Sequence, residues 1–147
     1  MKNKKILGHK EKVSILDLDL HDLDAKIDTG ADLCALHCDD IVIKDDKVFF
    51  TLFSKIHPSY KDRRINMNIY QMKKIKSSNG QSQLRPCIKV TLSCGNKKYK
   101  SIVSLTKRKN MKFPMLIGKS FLKNNFLVDV SKCYLASSKL IQDYSIC

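Results

Sequence analysis

The sequence predicts a small all-β fold, a closed barrel of short strands with one short helix. Three observations predict it. Apolar and polar residues alternate with period two in several runs of the 147-residue chain. Turn dipeptides, above all Asn79-Gly80 and Gly95-Asn96, separate those runs. Only Ser120 to Asn124 suits a helical turn, and many short strands without helices hide their edges best by closing into a barrel.

Taken in order, Leu16, Leu18 and Leu20 alternate with Asp17, Asp19 and His21. Leu23, Ala25 and Ile27 then alternate with Asp24, Lys26 and Asp28. This predicts a hairpin turning at His21-Asp22, with a second strand that ends on Asp28. Ile41 to Ile43 and Val48 to Phe53 flank Lys44-Asp45-Asp46-Lys47 and predict another hairpin. His57 to Arg64 reads as a loop. Ile69 to Ile75 predicts a strand that runs into Ser77-Ser78-Asn79-Gly80, and Leu84 to Ser93 its return. Tyr99 to Leu105 follows the turn at Gly95-Asn96. Pro114 to Gly118 is a short apolar run stopped by glycine, and Phe126 to Val130 is the last strand. The length fits one domain over residues 1–147, with residues 1–10 expected as a flexible basic tail.

The charge balance restricts partners. Lys and Arg number 28 against 14 Asp and Glu, a net charge of +14, and most of the acids lie between Glu11 and Asp46. Such a field attracts polyanions: nucleic acid, acidic peptide or anionic membrane. The same charge also serves solubility alone. No aromatic-rich stripe for stacking bases is visible, so nucleic acid is admitted but not favoured. No apolar stretch suits a signal peptide or a membrane span, which points to a cytoplasmic protein with no membrane role and reduced cysteines.

Metal chemistry has two weak openings. Cys34 and Cys38 flank His37, but no second close-spaced ligand pair follows. Asp17, Asp19 and His21 would share one strand face, which a solvated outer face explains as well. No metal and no cofactor is expected.

The residues with chemical promise are Asp28-Thr29-Gly30. Alone the motif is weak, because the same composition makes ordinary turns. Its context is Ala25 to Asp32 (Ala-Lys-Ile-Asp-Thr-Gly-Ala-Asp), Pro114 to Gly118 (Pro-Met-Leu-Ile-Gly) and Phe126 to Ser131 (Phe-Leu-Val-Asp-Val-Ser). These blocks, in this order and with an Asn-Gly hairpin between, resemble the retropepsin family of aspartic proteases. They are closest to a bacterial and archaeal group whose members carry the label ATP-dependent zinc protease. The residues give that label no support, for neither a His-Glu-x-x-His helix nor a glycine-rich phosphate loop is present.

The resemblance implies a retropepsin-like closed barrel with a flap hairpin, acting as an aspartic endopeptidase. Two carboxylates sharing one proton would activate a water and protonate the carbonyl oxygen, since like charges so close do not both ionise readily. Asp28 would be the catalytic carboxylate, Thr29 would fix its loop by hydrogen bonds, and Gly30 would take an unusual dihedral and let backbone approach the substrate. Ala31 and Asp32, with Ser78, Asn79 and Gly80 of the flap, would bind substrate. That hairpin lacks the several glycines of retroviral flaps, and an ordinary surface hairpin is the alternative. Leu116, Ile117 and Gly118 would support the loop from beneath, and Lys119 would stand where the family usually has an arginine paired with the acid matching Asp32.

One motif per chain implies a homodimer with Asp28 of each subunit at the two-fold axis, since Asp129-Val130-Ser131 lacks the Thr and Gly of a second copy. Relatives associated with a glutamate ligase suggest acidic or polyglutamate peptides as substrates. Two alternatives remain: a catalytically silent retropepsin fold used for binding or dimerisation, and a basic nucleic-acid-binding barrel.

Overall fold

The computed structural model describes residues 3–52, 63–76, 79–107 and 112–136. Within them the elements run β1 (Lys5–Leu7), β2 (Lys10–Ile15), β3 (Leu20–Ile27), β4 (Cys34–Lys44), β5 (Lys47–Leu52), β6 (Arg64–Asn68), β7 (Gln71–Lys76), β8 (Ser82–Cys94), β9 (Lys97–Thr106), β10 (Met115–Ile117), α1 (Lys119–Leu122) and β11 (Phe126–Val128). The predicted all-β class with one short helix is what forms. Six strands close a barrel in the order β10-β3-β2-β8-β9-β4, and β4 returns to β10.

Alternation explains the closure. Val13 and Ile15 of β2, Leu23, Ala25 and Ile27 of β3, Ile88, Val90 and Leu92 of β8, and Val103 and Leu105 of β9 all point inward and are buried. Each such Val, Leu or Ile side chain is worth about 1.5–3 kcal/mol on burial. At one end, Phe121 of α1 stacks on Phe126 at 5.1 Å, and Tyr99 meets both rings edge-on at 5.9 and 6.0 Å. β5 and β6 extend the sheet from the far half of β4, and β7 pairs with the first half of β8 outside the barrel ring.

Two of the turns read from the sequence, at Asp45-Asp46 and at Gly95-Asn96, are present. Asp45 and Asp46 both take positive φ (50° and 63°), the primed turn that Asp tolerates and that matches strand twist. Gly95, at φ +62°, turns β8 into β9.

Three expectations fail. Leu16–Leu18 is a 3-10 turn, not a strand, and β3 runs unbroken from Leu20 through the predicted turn at His21-Asp22. Asp22 takes φ 54° and absorbs a register shift instead of ending the strand. The hairpin partner of β3 is β2, whose lysines hide a clean alternation. The flexible tail expected over residues 1–10 is not what its described part forms: Lys5–Leu7 pairs in parallel with β11, and Leu7 is fully buried. β6 begins at Arg64, where a loop was expected; most of that predicted loop lies outside the described residues.

The N-terminal segment is fastened by Glu11, which sits on the inward face of β2 with no exposure. Its carboxylate accepts backbone N–H groups of Gly8 at 2.7 Å, Leu135 at 2.9 Å and Ala136 at 3.1 Å. His9 N–H reaches the Lys132 carbonyl at 2.8 Å beside it. Glu11→Ala strands three donors at roughly 1–3 kcal/mol each, so a loss of about 4 kcal/mol is expected. Urea unfolding measures it, and a change below about 0.5 kcal/mol, the range of ordinary surface substitutions, would count against the clamp.

Candidate active site

β3 carries its chain into the site. Ile27 is the last core residue, and Asp28 follows it out of the barrel, half-buried, with Thr29 and Gly30 exposed. The parallel pairing of β3 with β10 continues one residue further, as Asp28 N–H donates to the Ile117 carbonyl at 2.8 Å. The loop then folds on its own carboxylate. Gly30 N–H donates to Asp28 Oδ1 at 3.0 Å, and Ala31 N–H to the Asp28 carbonyl at 3.3 Å. Among the described residues, Asp28 Oδ2 accepts no hydrogen bond. One oxygen is thereby fixed by the loop, and the other has no partner among the described residues.

The returning half of the loop is pinned from below. Lys119 N–H donates to the Ala31 carbonyl at 2.8 Å, and Ser120 N–H to the Asp32 carbonyl at 2.9 Å. β10 lies between β3 and β4, so Leu116 faces Lys26 on one side and Ala35 on the other. Gly118 is packed so closely that a Cβ there would lie 2.3 Å from the Leu33 carbonyl oxygen and 2.7 Å from that of Ala31. Ser120 links the same region to β9: its hydroxyl accepts from Cys34 N–H at 3.3 Å and donates to the Ile102 carbonyl at 3.2 Å.

Leu116, Ile117, Gly118, Lys119, Asp28, Gly30, Ala31 and Asp32 are therefore gathered into one unit. Lys119 approaches Asp32 at 3.8 Å, with both side chains more than half exposed, so this pair contributes little stability. Gly30 differs from expectation. Its φ is not left-handed, and an added Cβ would only touch Asp28 Oδ1 at 3.4 Å. Thr29 differs too: among the described residues its hydroxyl has no partner, so it does not fix the loop within one chain. Asn79 and Gly80 form the tip of the β7–β8 hairpin, where Gly80 takes φ +86° with open space around it and Gln81 N–H donates to Asn79 Oδ1 at 3.2 Å. Ser78 lies outside the described residues.

Other nucleophiles and metal ligands fare worse. Cys34, Cys38, Cys87 and Cys94 are buried free thiols. Burial pushes all four up, Cys94 to about 12, which keeps them protonated and unreactive. Cys133 is disulfide-bonded, contrary to the expectation that every cysteine is reduced. Asp17 is not on a strand face with His21; its Oδ1 accepts the Thr91 N–H at 2.6 Å, while Asp19 meets His21 at 2.8 Å. No group of three metal-ligating side chains gathers among the described residues. Asp129 is a turn anchor. The Ser131 hydroxyl and N–H both donate to it and hold its carboxyl below the usual range.

The support from Ser120 and the clamp at Glu11 are tertiary contacts and are not among the expectations drawn from the sequence. Nothing in the spacing of Cys34, Ile102 and Ser120 announces that they meet. Glu11 did leave a signal, a lone acid in phase with Val13 and Ile15.

The sequence model of the RimB-like family, described as retropepsin-like aspartic endopeptidase RimB, matches residues 6–139. The chain belongs to this family. Its match takes in the last two residues of β1, the loop at Asp28, the β7–β8 hairpin and β10 alike. This RimB-like chain is also 29% identical over 142 residues to a probable alpha-L-glutamate ligase of Shewanella pealeana, covering 93% of this chain and 31% of that protein. A protein of the same description from Shewanella halifaxensis is 28% identical over 137 residues, covering 90% of this chain and 30% of its own length. The chain thus spans about a third of these curated relatives. Among solved structures, a Legionella pneumophila protein of unknown function superposes with a TM-score of 0.72 at 27% identity, over 92% of this chain and all of that one. No helix among the described residues is long and apolar enough to cross a membrane.

Proposed function

We propose that this chain is a cytoplasmic aspartic-type endopeptidase that works as a symmetric homodimer, with Asp28 of each subunit forming the catalytic pair. The observation that carries the reading is the presentation of Asp28. A loop hydrogen-bonded to β10 and α1 holds one carboxylate half-exposed, with an oxygen that accepts no hydrogen bond among the described residues, and the sequence has one such motif. Two such loops facing each other would bring the carboxylates close enough to share a proton. One carboxylate then takes a proton from the attacking water while the other gives its proton to the carbonyl oxygen, and the proton positions reverse as the amine leaves. The unpartnered Thr29 hydroxyl is accounted for as well, since it lies beside Asp28 on the surface that a second copy would cover.

The substrate class follows from charge and relatives together. A net charge of +14 favours acidic chains. The matched relatives are named for ligating glutamate, so peptides rich in glutamate are the substrates we assign. Those relatives also favour a second reading, a silent module that only binds such peptides, because the matched portion is about a third of each.

Incubation with a glutamate-rich peptide library should release new amino termini, and excess EDTA should leave the rate within about twofold, because the two-carboxylate route places no step on a metal. Cleavage that disappears on chelation and returns with added zinc would contradict the mechanism. No cleavage of any member would favour the silent module.

A further inference from the structure

The β7–β8 hairpin carries a charge pattern that peptide hydrolysis by itself does not require. From Arg63 to Val128 the sequence contains no Asp or Glu, so its lysines have no acid nearby in the chain. Strand alternation decides which way each one points. Ile88, Val90 and Leu92 of β8 face the barrel interior and are fully buried. The same parity, followed outward, gives Pro86, Leu84 and Ser82, whose cross-strand partners are Met72, Lys74 and Lys76. The hairpin face that continues the core side therefore presents Leu84 at 63% exposure and Met72 at 40%, with Lys74 and Lys76 exposed beside them.

The opposite face is different. There Arg85 donates to Gln83, and Lys89 lies over the Tyr70 ring at 5.1 Å. Among the described residues, Lys74 and Lys76 meet no carboxylate. Solubility alone would place lysines outward, away from exposed apolar side chains. Two residues apart on one strand, Lys74 and Lys76 are separated by roughly 6.5–7 Å, the repeat of same-face side chains in an extended peptide.

We propose that Lys74 and Lys76 read two carboxylates at alternate positions of an extended acidic peptide, with Leu84 and Met72 covering the methylenes between them. The assignment rests on the peptidase reading only for the nature of the bound chain.

The test uses the full chain carrying Asp28→Asn, so that binding is read without turnover. A labelled peptide with glutamate at alternate positions and its glutamine counterpart serve as probes in fluorescence anisotropy. Adding Lys74→Ser and Lys76→Ser should weaken the glutamate peptide by about 100-fold, roughly tenfold per charge-assisted contact. Lys73→Ser with Lys98→Ser removes the same charge from outward positions and should change affinity less than about threefold, as exposed charges do. Equal losses in both pairs would reduce the effect to the general field and overturn the proposal, as would no loss or no binding. If binding depends on Lys74 and Lys76 but the unmodified protein cleaves neither peptide, the peptidase reading falls and the lysine assignment stands.

Discussion

Asp28→Asn should lower the peptide-cleavage rate by at least about 1,000-fold while leaving the fold and self-association unchanged. The effect is large because Asn neither accepts the proton of the attacking water nor shares one with a facing carboxylate, and acid–base assistance of this kind is worth roughly 10²–10⁴ in rate. The fold survives because Asn keeps a side-chain oxygen where Oδ1 accepts the Gly30 N–H, and the backbone bond from residue 28 to Ile117 is untouched. Initial rates on a glutamate-rich peptide, together with circular dichroism and sedimentation, separate chemistry from structure. Undiminished turnover by this variant would remove Asp28 from the mechanism.

Gly118→Ala should act through geometry. The added methyl would fall on the carbonyl oxygens of Leu33 and Ala31, backbone atoms at 2.3 and 2.7 Å that belong to the two ends of the loop's return. Neither can rotate away as a side chain would, so the loop itself must move. Overpacking against fixed backbone costs about 1–3 kcal/mol, and we expect the upper end. Displacing a catalytic group by about 1 Å can cost 100-fold in rate, so activity should fall by that order even in the fraction that stays folded. Gly30→Ala provides the contrast, since its methyl would make only an ordinary 3.4 Å contact. Thermal melts and kcat on the two variants check the ranking. Comparable behaviour would mean that the loop is not braced through Gly118.

Strand alternation and turn residues made most of the barrel legible. Strands form where Val48 to Phe53 (described as far as Leu52), Leu84 to Ser93 and Tyr99 to Leu105 predict them, because apolar residues recur along each and Asp, Asn or Gly turns flank them. The start of the chain misled for a physical reason. Leu16 and Leu18 keep the alternation of a strand while folded as a 3-10 turn, and lysines at Lys10 and Lys12 disguised the strand that actually pairs with β3. At the site, the order of the Asp28 and Gly118 blocks could be read, since both are local. The contacts of Ser120 and Glu11 could not, because they join residues 86 and 124 positions apart and depend on tertiary closure alone.

Whether Asp28 acts as one of a pair is best decided by mixing subunits. The unmodified chain and the Asp28→Asn chain are combined in equal amounts under conditions that allow exchange, and activity is expressed per unmodified subunit. Random pairing puts half of the unmodified subunits into mixed dimers. A site shared across the two-fold axis therefore predicts that activity per unmodified subunit falls to about half, and falls further as the variant is added in excess. Activity that stays constant per unmodified subunit at every ratio would show that each chain works alone and would contradict the shared site.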